Sequence, residues 1–289
     1  MSKASELFDA GQLDAAIDAA VSEVKQRPTD TAARTFFCDL LCFRGDFERA
    51  DKQLEIISQQ DPSAATGVAL YRQLVRAAIA RGQFYNDGRL PELIGEPSPG
   101  LRLHLEASIH IREGDLRQAA ALLAQADSQR VAIAGRCGET AFADFRDFDD
   151  LTSCLFEVLT TNGKYYWIGM DQIELIELRP LKFPRDVLWR AARMVVRDGP
   201  DGEVYLPALY AGSSQSDDDA LRLGRAAQWF GGDDDGGDDD GGDDDGDDGS
   251  DDDSGGPTRG LGMRTFMVDE SCLPIVDLSQ LNFDSPATP

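Results

Sequence analysis

The sequence predicts an α+β protein, a domain of helical repeats followed by a small β-rich domain. Three observations carry that expectation. A pattern of glycine, alanine and proline recurs at a 34-residue offset in the N-terminal half. After Arg136 the texture changes to short aromatic and β-branched runs punctuated by turn residues. A low-complexity run, GGDDDGGDDDGGDDDGDDGSDDD from Gly231 to Asp253, interrupts the second half without helical or strand periodicity. The boundaries read as 1–135 for the helical domain and 136–289 for the β-rich one, with an insert at 231–256.

The helical domain begins near Ser5, where apolar residues fall three and four apart. LFDAGQLDAAI (Leu7 to Ile17) aligns with LCFRGDFERAD (Leu41 to Asp51), and Pro28 precedes Pro62 by the same 34 residues. That is the period of tetratricopeptide helix pairs. Gly11 and Gly45 suit a turn between two antiparallel helices, Leu13 and Phe47 fill the space beyond it, Ala16 and Ala50 allow close helix approach, and each proline ends the second helix. IREGDLRQAAALLAQA (Ile111 to Ala126) supplies a further copy with Gly114, Leu116 and Ala119 in those roles. Between the copies, ALYRQLVRAAIARGQF begins another unit that breaks at Pro91, Pro97 and Pro99. Apolar spacing of this kind exists to bury one pair on the next. The first helices of the stack also predict a concave groove, lined by Thr35 and Asp39, then Arg72 and Arg76, then His104 and Ser108.

The β-rich half opens on CLFEVLTTNGKYYWIGM, two apolar runs flanking Asn162-Gly163, which predicts a hairpin because both residues tolerate positive φ. IELIELRP continues as a strand ended by Pro180. LWRAARMVVRDGPDGEVYLPALY gives strands around a Gly/Pro/Asp turn, and RAAQWF and MRTFMVDE read as two more. Five or six short strands predict a small barrel of the SH3-like kind.

Charge excludes several functions. Net charge is −25, but the segment from Gly231 to Gly256 holds 14 aspartates and no base, so the remaining chain carries 11 of those negative charges. A chain of this sign is repelled by nucleic acid and by anionic membrane surfaces. Five scattered cysteines without a CxxC pair suggest neither a disulfide framework nor a zinc site, and no apolar run is long enough to span a bilayer. The expectation is a cytoplasmic protein with no metal and no cofactor.

Nor does catalytic chemistry assemble. The two histidines, His104 and His110, sit six apart on different helical faces, and no GxSxG, P-loop or GxGxxG pattern is present. Cys137 is the nearest approach to a nucleophile and has no histidine in its own half. The acidic run DFRDFDD (Asp144 to Asp150) at the junction reads as a cap or a solvated face. The insert lacks the apolar wedge of calcium-binding repeats and reads as a solvated, disordered loop. The prediction is a protein that is not an enzyme.

Five segments, NGKYYWI (Asn162 to Ile168), PRDVLWR (Pro184 to Arg190), DGEVYLPALYAGS (Asp201 to Ser213), DDALRLGRAAQW (Asp218 to Trp229) and GMRTFMVDE (Gly262 to Glu270), in this order behind a helical repeat region, resemble the ImpE family of SciE-type, TagJ-like virulence-associated proteins. The residues carrying the resemblance are Lys164, Tyr165, Tyr166, Trp167, Pro184, Arg185, Asp186, Trp189, Arg190, Glu203, Tyr205, Pro207, Tyr210, Gly224, Arg225, Trp229 and Arg264. Ala227-Gln228 departs from the Thr-Asp pair expected before Trp229.

The resemblance implies a non-enzymatic adaptor of a bacterial type VI secretion system that contacts the small subunit of the contractile sheath and is linked to the ClpV ATPase that disassembles it. The alternative is a self-associating scaffold for secretion components without a dedicated peptide site. Read from the residues alone, Tyr165 and Trp167 alternate with Tyr166 across a strand, and Trp189 and Trp229 face inward. Arg185, Arg190, Arg225 and Arg264, lying beside aromatics in an acidic chain, either ion-pair internally, the favoured expectation, or bind an acidic segment.

Overall fold

The computed structural model describes residues 1–231 and 255–285. The insert, with its expected disorder, lies outside the described residues except at its two ends.

Seven helices build the N-terminal half: α1 (Lys3–Asp9), α2 (Leu13–Gln26), α3 (Thr31–Phe43), α4 (Phe47–Gln60), α5 (Ala65–Asp87), α6 (Pro99–Glu113) and α7 (Leu116–Ser128). The marked positions do local work. Gly11, Gly45 and Gly114 take φ of +77°, +78° and +80°, left-handed values that turn the chain between α1 and α2, α3 and α4, and α6 and α7. The second helix of each hairpin then buries Ala16, Ala50 or Ala119 completely. Starts are capped by short polar side chains: Asp30, Asp46, Ser98 and Asp115 each accept the N–H three residues on. Arg34, buried between α3 and α4, donates to Gln53 at 2.5 Å and to the Pro28 carbonyl at 2.8 Å.

The expected break after ALYRQLVRAAIARGQF takes an unforeseen form. α5 runs 23 residues to Gly88, whose φ of +74° ends it, and has no second helix of its own. Residues 89–98 instead cross to the β half.

There the strands are β1 (Gly135–Cys137), β2 (Thr140–Phe142), β3 (Phe145–Asp147), β4 (Leu155–Thr160), β5 (Tyr165–Gly169), β6 (Ile173–Leu178), β7 (Trp189–Val196), β8 (Asp201–Pro207), β9 (Ala227–Phe230), β10 (Arg259–Gly262), β11 (Thr265–Val268), β12 (Ser271–Pro274) and β13 (Gln280–Phe283), with the one-turn helix α8 (Asp219–Arg222) before β9. The hairpin at Asn162-Gly163 forms as β4–β5, with Gly163 at φ +82°. The Gly/Pro/Asp turn joins β7 to β8 in a seven-pair register from Trp189↔Pro207 to Val195↔Asp201.

The SH3-like barrel is corrected. Eight strands form an open antiparallel sheet in the order β2-β1-β13-β6-β7-β8-β4-β5, beside a three-stranded sheet β12-β11-β3 and the pair β10-β9. Closure requires the first and last strands to pair. Here the outer edge of β5 is taken by the segment after α5: the Glu92 N–H donates to the Tyr165 carbonyl at 2.9 Å, and the Trp167 N–H to the Glu92 carbonyl at 3.1 Å. A phenylalanine cluster glues the three-stranded sheet to the large one, Phe145 lying 5.0 Å from Phe266, 6.0 Å from Phe156 and 5.4 Å from Phe283 between ring centroids. The strand β4, buried on both faces, carries Phe156 and Val158 into that core, and Leu155, Glu157 and Leu159 toward α5.

Candidate functional site at the junction of the halves

The side of β4 and β5 facing α5 would be apolar in a simple packing contact; it holds instead a carboxylate, Glu157, with no exposure to speak of, 1%. Its oxygens accept both arms of the Arg81 guanidinium at 2.8 and 2.7 Å, the Tyr165 hydroxyl at 2.5 Å, the Tyr85 hydroxyl at 3.1 Å and the Arg264 guanidinium. Trp167 donates its ring N–H to the Tyr165 oxygen at 2.6 Å, and its ring meets Phe84 of α5 edge-on at 4.6 Å. Burial pushes the Glu157 carboxyl up, but Arg81, Arg264 and Tyr165 overcome it and hold it below its ordinary range.

Arg264 links this cluster to a second. Its other arm lies 3.0 Å from Asp147, which also accepts the Tyr210 hydroxyl at 2.7 Å and the Thr152 hydroxyl at 2.9 Å. Burial raises Asp147 to about 6 against the pull of Arg264. The acidic run DFRDFDD is thus not a solvated face. Each of its aspartates meets a different arginine: Asp144 takes Arg130 at 2.5 and 2.7 Å, Asp147 takes Arg264, Asp149 takes Arg259 at 2.9 Å, and Asp150 takes Arg146 at 3.0 Å. Asp149 also caps the turn that follows, accepting the Leu151 N–H at 2.9 Å. Arginines more than a hundred residues downstream satisfy two of these acids, which local reading of the run cannot show.

Arginine clamps also tie the halves together at the other end. Arg225 donates to the Phe8 and Asp9 carbonyls, 2.6 and 2.9 Å, at the C-terminus of α1 and lies over the Phe8 ring. Arg222 bridges Asp14 and Asp219 at 2.9 and 2.8 Å, while Asp219 accepts the first N–H of α2, from Leu13, at 2.9 Å. Arg185 reaches Asp39 at 3.4 Å and stacks on Tyr71 and Phe183. Most other motif residues also serve architecture. Trp189 packs on Phe47 and Tyr71, Trp229 on Phe148, and Lys164 pairs with Glu92 at 3.6 Å. Pro184 opens a turn closed by Asp186, Glu203 accepts from Tyr205 at 3.3 Å, Pro207 ends β8, and Gly224 has φ +64°. Tyr165 and Trp167 are buried and Tyr166 half-buried, as alternation requires.

The groove laid out from the repeat is largely filled. Asp39, His104 and Ser108 are buried, at 2%, 2% and 4% exposure, and Arg185 and Leu151 of the β half reach Asp39 and His104. Asp39 accepts from Tyr71 at 2.7 Å as well as from Arg185, and burial raises its carboxyl to about 6. Ser108 donates to the Leu105 carbonyl at 2.6 Å. Of the remaining three, Thr35 donates back to the Thr31 carbonyl, Arg72 forks onto Asp51 at 2.7 and 2.8 Å, and Arg76 is exposed beside the tip of the β4–β5 hairpin.

His104 has a partner that sequence spacing does not reveal. Its Nδ1 lies 2.9 Å from the Leu151 carbonyl and its Nε2 3.2 Å from the Cys154 sulfur. The carbonyl accepts only, so Nδ1 carries the proton and Nε2 accepts from the thiol. Burial pushes the Cys154 thiol up to about 12 and His104 down. A thiol held protonated is the reverse of an activated nucleophile. Cys137, half-buried on β1, is likewise raised by burial.

What remains open is a cleft of about 990 Å³ between the halves. Phe47, Ile79, Gly82, Gln83 and Asn86 line it from α4 and α5, and the loop from Leu209 to Ser216, Phe230 and Leu261 line it from the β half. Ile79, Gly82, Gln83 and Asn86 form one stripe of α5. Arg81, Tyr85, Tyr210 and Arg259 at its floor belong to the charge network. The Ser213 hydroxyl is occupied by the Tyr210 carbonyl at 2.7 Å and the Gly262 N–H at 2.8 Å. A cleft with a mixed helical stripe, an exposed phenylalanine and several committed polar groups suits a peptide or helix. Among the described residues no group of three metal-ligating side chains occurs, and no helix is long and apolar enough to cross a membrane.

Residues 139–241 match the family model described as ImpE protein. The type VI secretion system accessory component TagJ of Pseudomonas aeruginosa is 30% identical over 281 residues, covering 97% of this chain and 91% of that one. A crystal structure of a Vibrio parahaemolyticus protein superposes with a TM-score of 0.82 at 27% identity, covering 98% of each chain.

Proposed function

The chain belongs to the ImpE family, and from that premise we propose that it is a non-enzymatic accessory protein of a bacterial type VI secretion system, acting in the cytoplasm. In this reading it binds the small subunit of the contractile sheath and links it to the ClpV ATPase. Similarity along nearly the whole chain to an accessory component of such a system supports the system-level part. The observation that carries the binding part is the open cleft at the junction. Its lining combines apolar groups, the half-buried Ile79 and the exposed Phe230 among them, with polar side chains such as Asn86.

Residues 1–135 act as a tetratricopeptide-like stack and 136–289 as the half that closes one wall of the cleft. The half-buried Thr35 and Arg72 and the exposed Arg76 extend the contact surface along the helices. Rigid ion pairs between the halves favour a preformed site, which lowers the ordering cost of binding a peptide. Retention of the sheath small subunit and ClpV from the same genome on the purified full-length chain tests this; retention of neither refutes it. A self-associating scaffold is the second reading, favoured by the exposed Leu181 and Phe183. Monomers by light scattering with partner capture intact exclude it.

A further inference from the structure

The charge network at the floor of the cleft is closed on itself. Arg81, Arg259 and Arg264 face Glu157, Asp149 and Asp147, three cations against three carboxylates, at 2.7, 2.9 and 3.0 Å. Arg81 and Arg259 are the cations that line the cleft, and each has a side chain only 14% exposed and committed to its acid. Neither is left to receive a carboxylate from a partner. Arg190, which against the expectation of internal pairing makes no ion pair among the described residues, is buried and offers a partner nothing either.

The remaining charge of the lining has the opposite sign. Asp46 and Glu48, at the start of α4, and Asp87, at the end of α5, bring carboxylates to the same cleft. Asp46 is committed, accepting the Arg49 N–H that begins α4 and pairing with Arg44 at 3.0 Å. Glu48 and Asp87 are exposed and, among the described residues, meet no cation. Asp87 even works against its own helix, because a negative charge in the last turn opposes the helix dipole and no basic residue of that turn offsets it. The fold gains nothing from that charge. Apolar surface shares the cleft with these acids: the half-buried Ile79 and Ile111 and the exposed Phe230.

We propose that the cleft takes a cationic, amphipathic segment of a partner protein, whose apolar side chains rest on Ile79, Ile111 and Phe230 and whose lysines or arginines meet Glu48 and Asp87. The inference rests on the reading of the cleft as the partner site and adds the chemistry of its occupant. An acidic segment finds like charge there and no cation to offset it, which selects against the wrong partner.

The 14 aspartates of the insert also attract cations, so the test separates the two sources with a variant lacking residues 232–254. A second variant, Gly82→Phe, fills the cleft without changing its charge, since a Cβ at Gly82 meets nothing within 4 Å. Random dodecapeptides displayed on phage are selected on the full-length protein. Those that also bind the deletion variant but not Gly82→Phe are cleft ligands, and they are expected to carry lysine or arginine among apolar residues. Their synthetic forms should bind the double variant Glu48→Gln, Asp87→Asn about three- to tenfold more weakly, the scale for two exposed charge pairs. The loss of affinity between about 50 and 500 mM salt should also be shallower in that variant. The double variant should melt as the parent does, because neither acid has a partner in the fold. Cleft ligands that are neutral or acidic, or cationic ones that bind the double variant undiminished, would overturn the inference while leaving the cleft as the partner site. Selection that yields no ligand sensitive to Gly82→Phe would overturn both.

Discussion

Replacing Glu157 by glutamine keeps the shape of the junction and removes its charge. The carboxylate accepts from five donor contacts, two from Arg81 and one each from Tyr165, Tyr85 and Arg264. A glutamine offers one oxygen and points two N–H groups at donors, leaving two guanidinium groups short of their counter-charge inside the protein. Breaking a buried pair from one side costs about 3–5 kcal/mol. At about 2 °C per kcal/mol for a chain of this size, the melting point of Glu157→Gln should fall by about 6–10 °C near neutral pH. Scanning calorimetry reads it, and a change below about 2 °C would refute the assignment of Glu157 as the charge that holds the halves.

The pH dependence has a definite sign. The folded-state value of Glu157 lies below its ordinary 4.5, so its contribution is whole above pH 4.5 and is lost as the pH falls toward the folded value. The gap between the parent and Glu157→Gln should therefore narrow as the pH falls below 4.5.

Three further outcomes follow from other contacts. Arg225→Ala removes the side chain that holds the Phe8 and Asp9 carbonyls, so amide hydrogen exchange of residues 3–13 should accelerate severalfold while that of β7 and β8 stays unchanged. Of the five cysteines, Cys272 is exposed and should react with a thiol reagent in the native state, whereas Cys38, Cys42 and Cys154, buried or raised by burial, should react only after unfolding. Deleting residues 232–254 rejoins β9 to β10, which already pair from Phe230↔Arg259 to Ala227↔Gly262, and saves about 2 kcal/mol of closure entropy at about 0.6 per doubling of loop length. Circular dichroism melting should show a transition at or slightly above that of the parent.

Local signals were legible in the sequence; partners distant in the chain were not. Gly11, Gly45 and Gly114 announce their turns because a left-handed φ favours one residue type, and Asn162-Gly163 announces its hairpin for the same reason. The fate of the segment around Glu92 was hidden, since nothing between Pro91 and Pro97 encodes pairing with Tyr165, and that pairing is what leaves the sheet open. The repeat gives the helical spacing of Asp39, His104 and Ser108, but that groups of the β half reach Asp39 and His104 depends on Arg185, Leu151 and Cys154. One missed signal was available. In CLFEVLTT an acidic residue interrupts an otherwise apolar strand, and Glu157 there is the center of the charge network.

The most direct test of the account is to put charge into the cleft. The double variant Ile79→Asp, Phe230→Asp alters two side chains that line it and touches none of the ion pairs between the halves. Binding of the purified sheath small subunit, measured by calorimetry, should be lost in this variant while circular dichroism shows it folded at the temperature of the measurement. Undiminished binding by a folded double variant would contradict the claim that the junction cleft is where the partner sits.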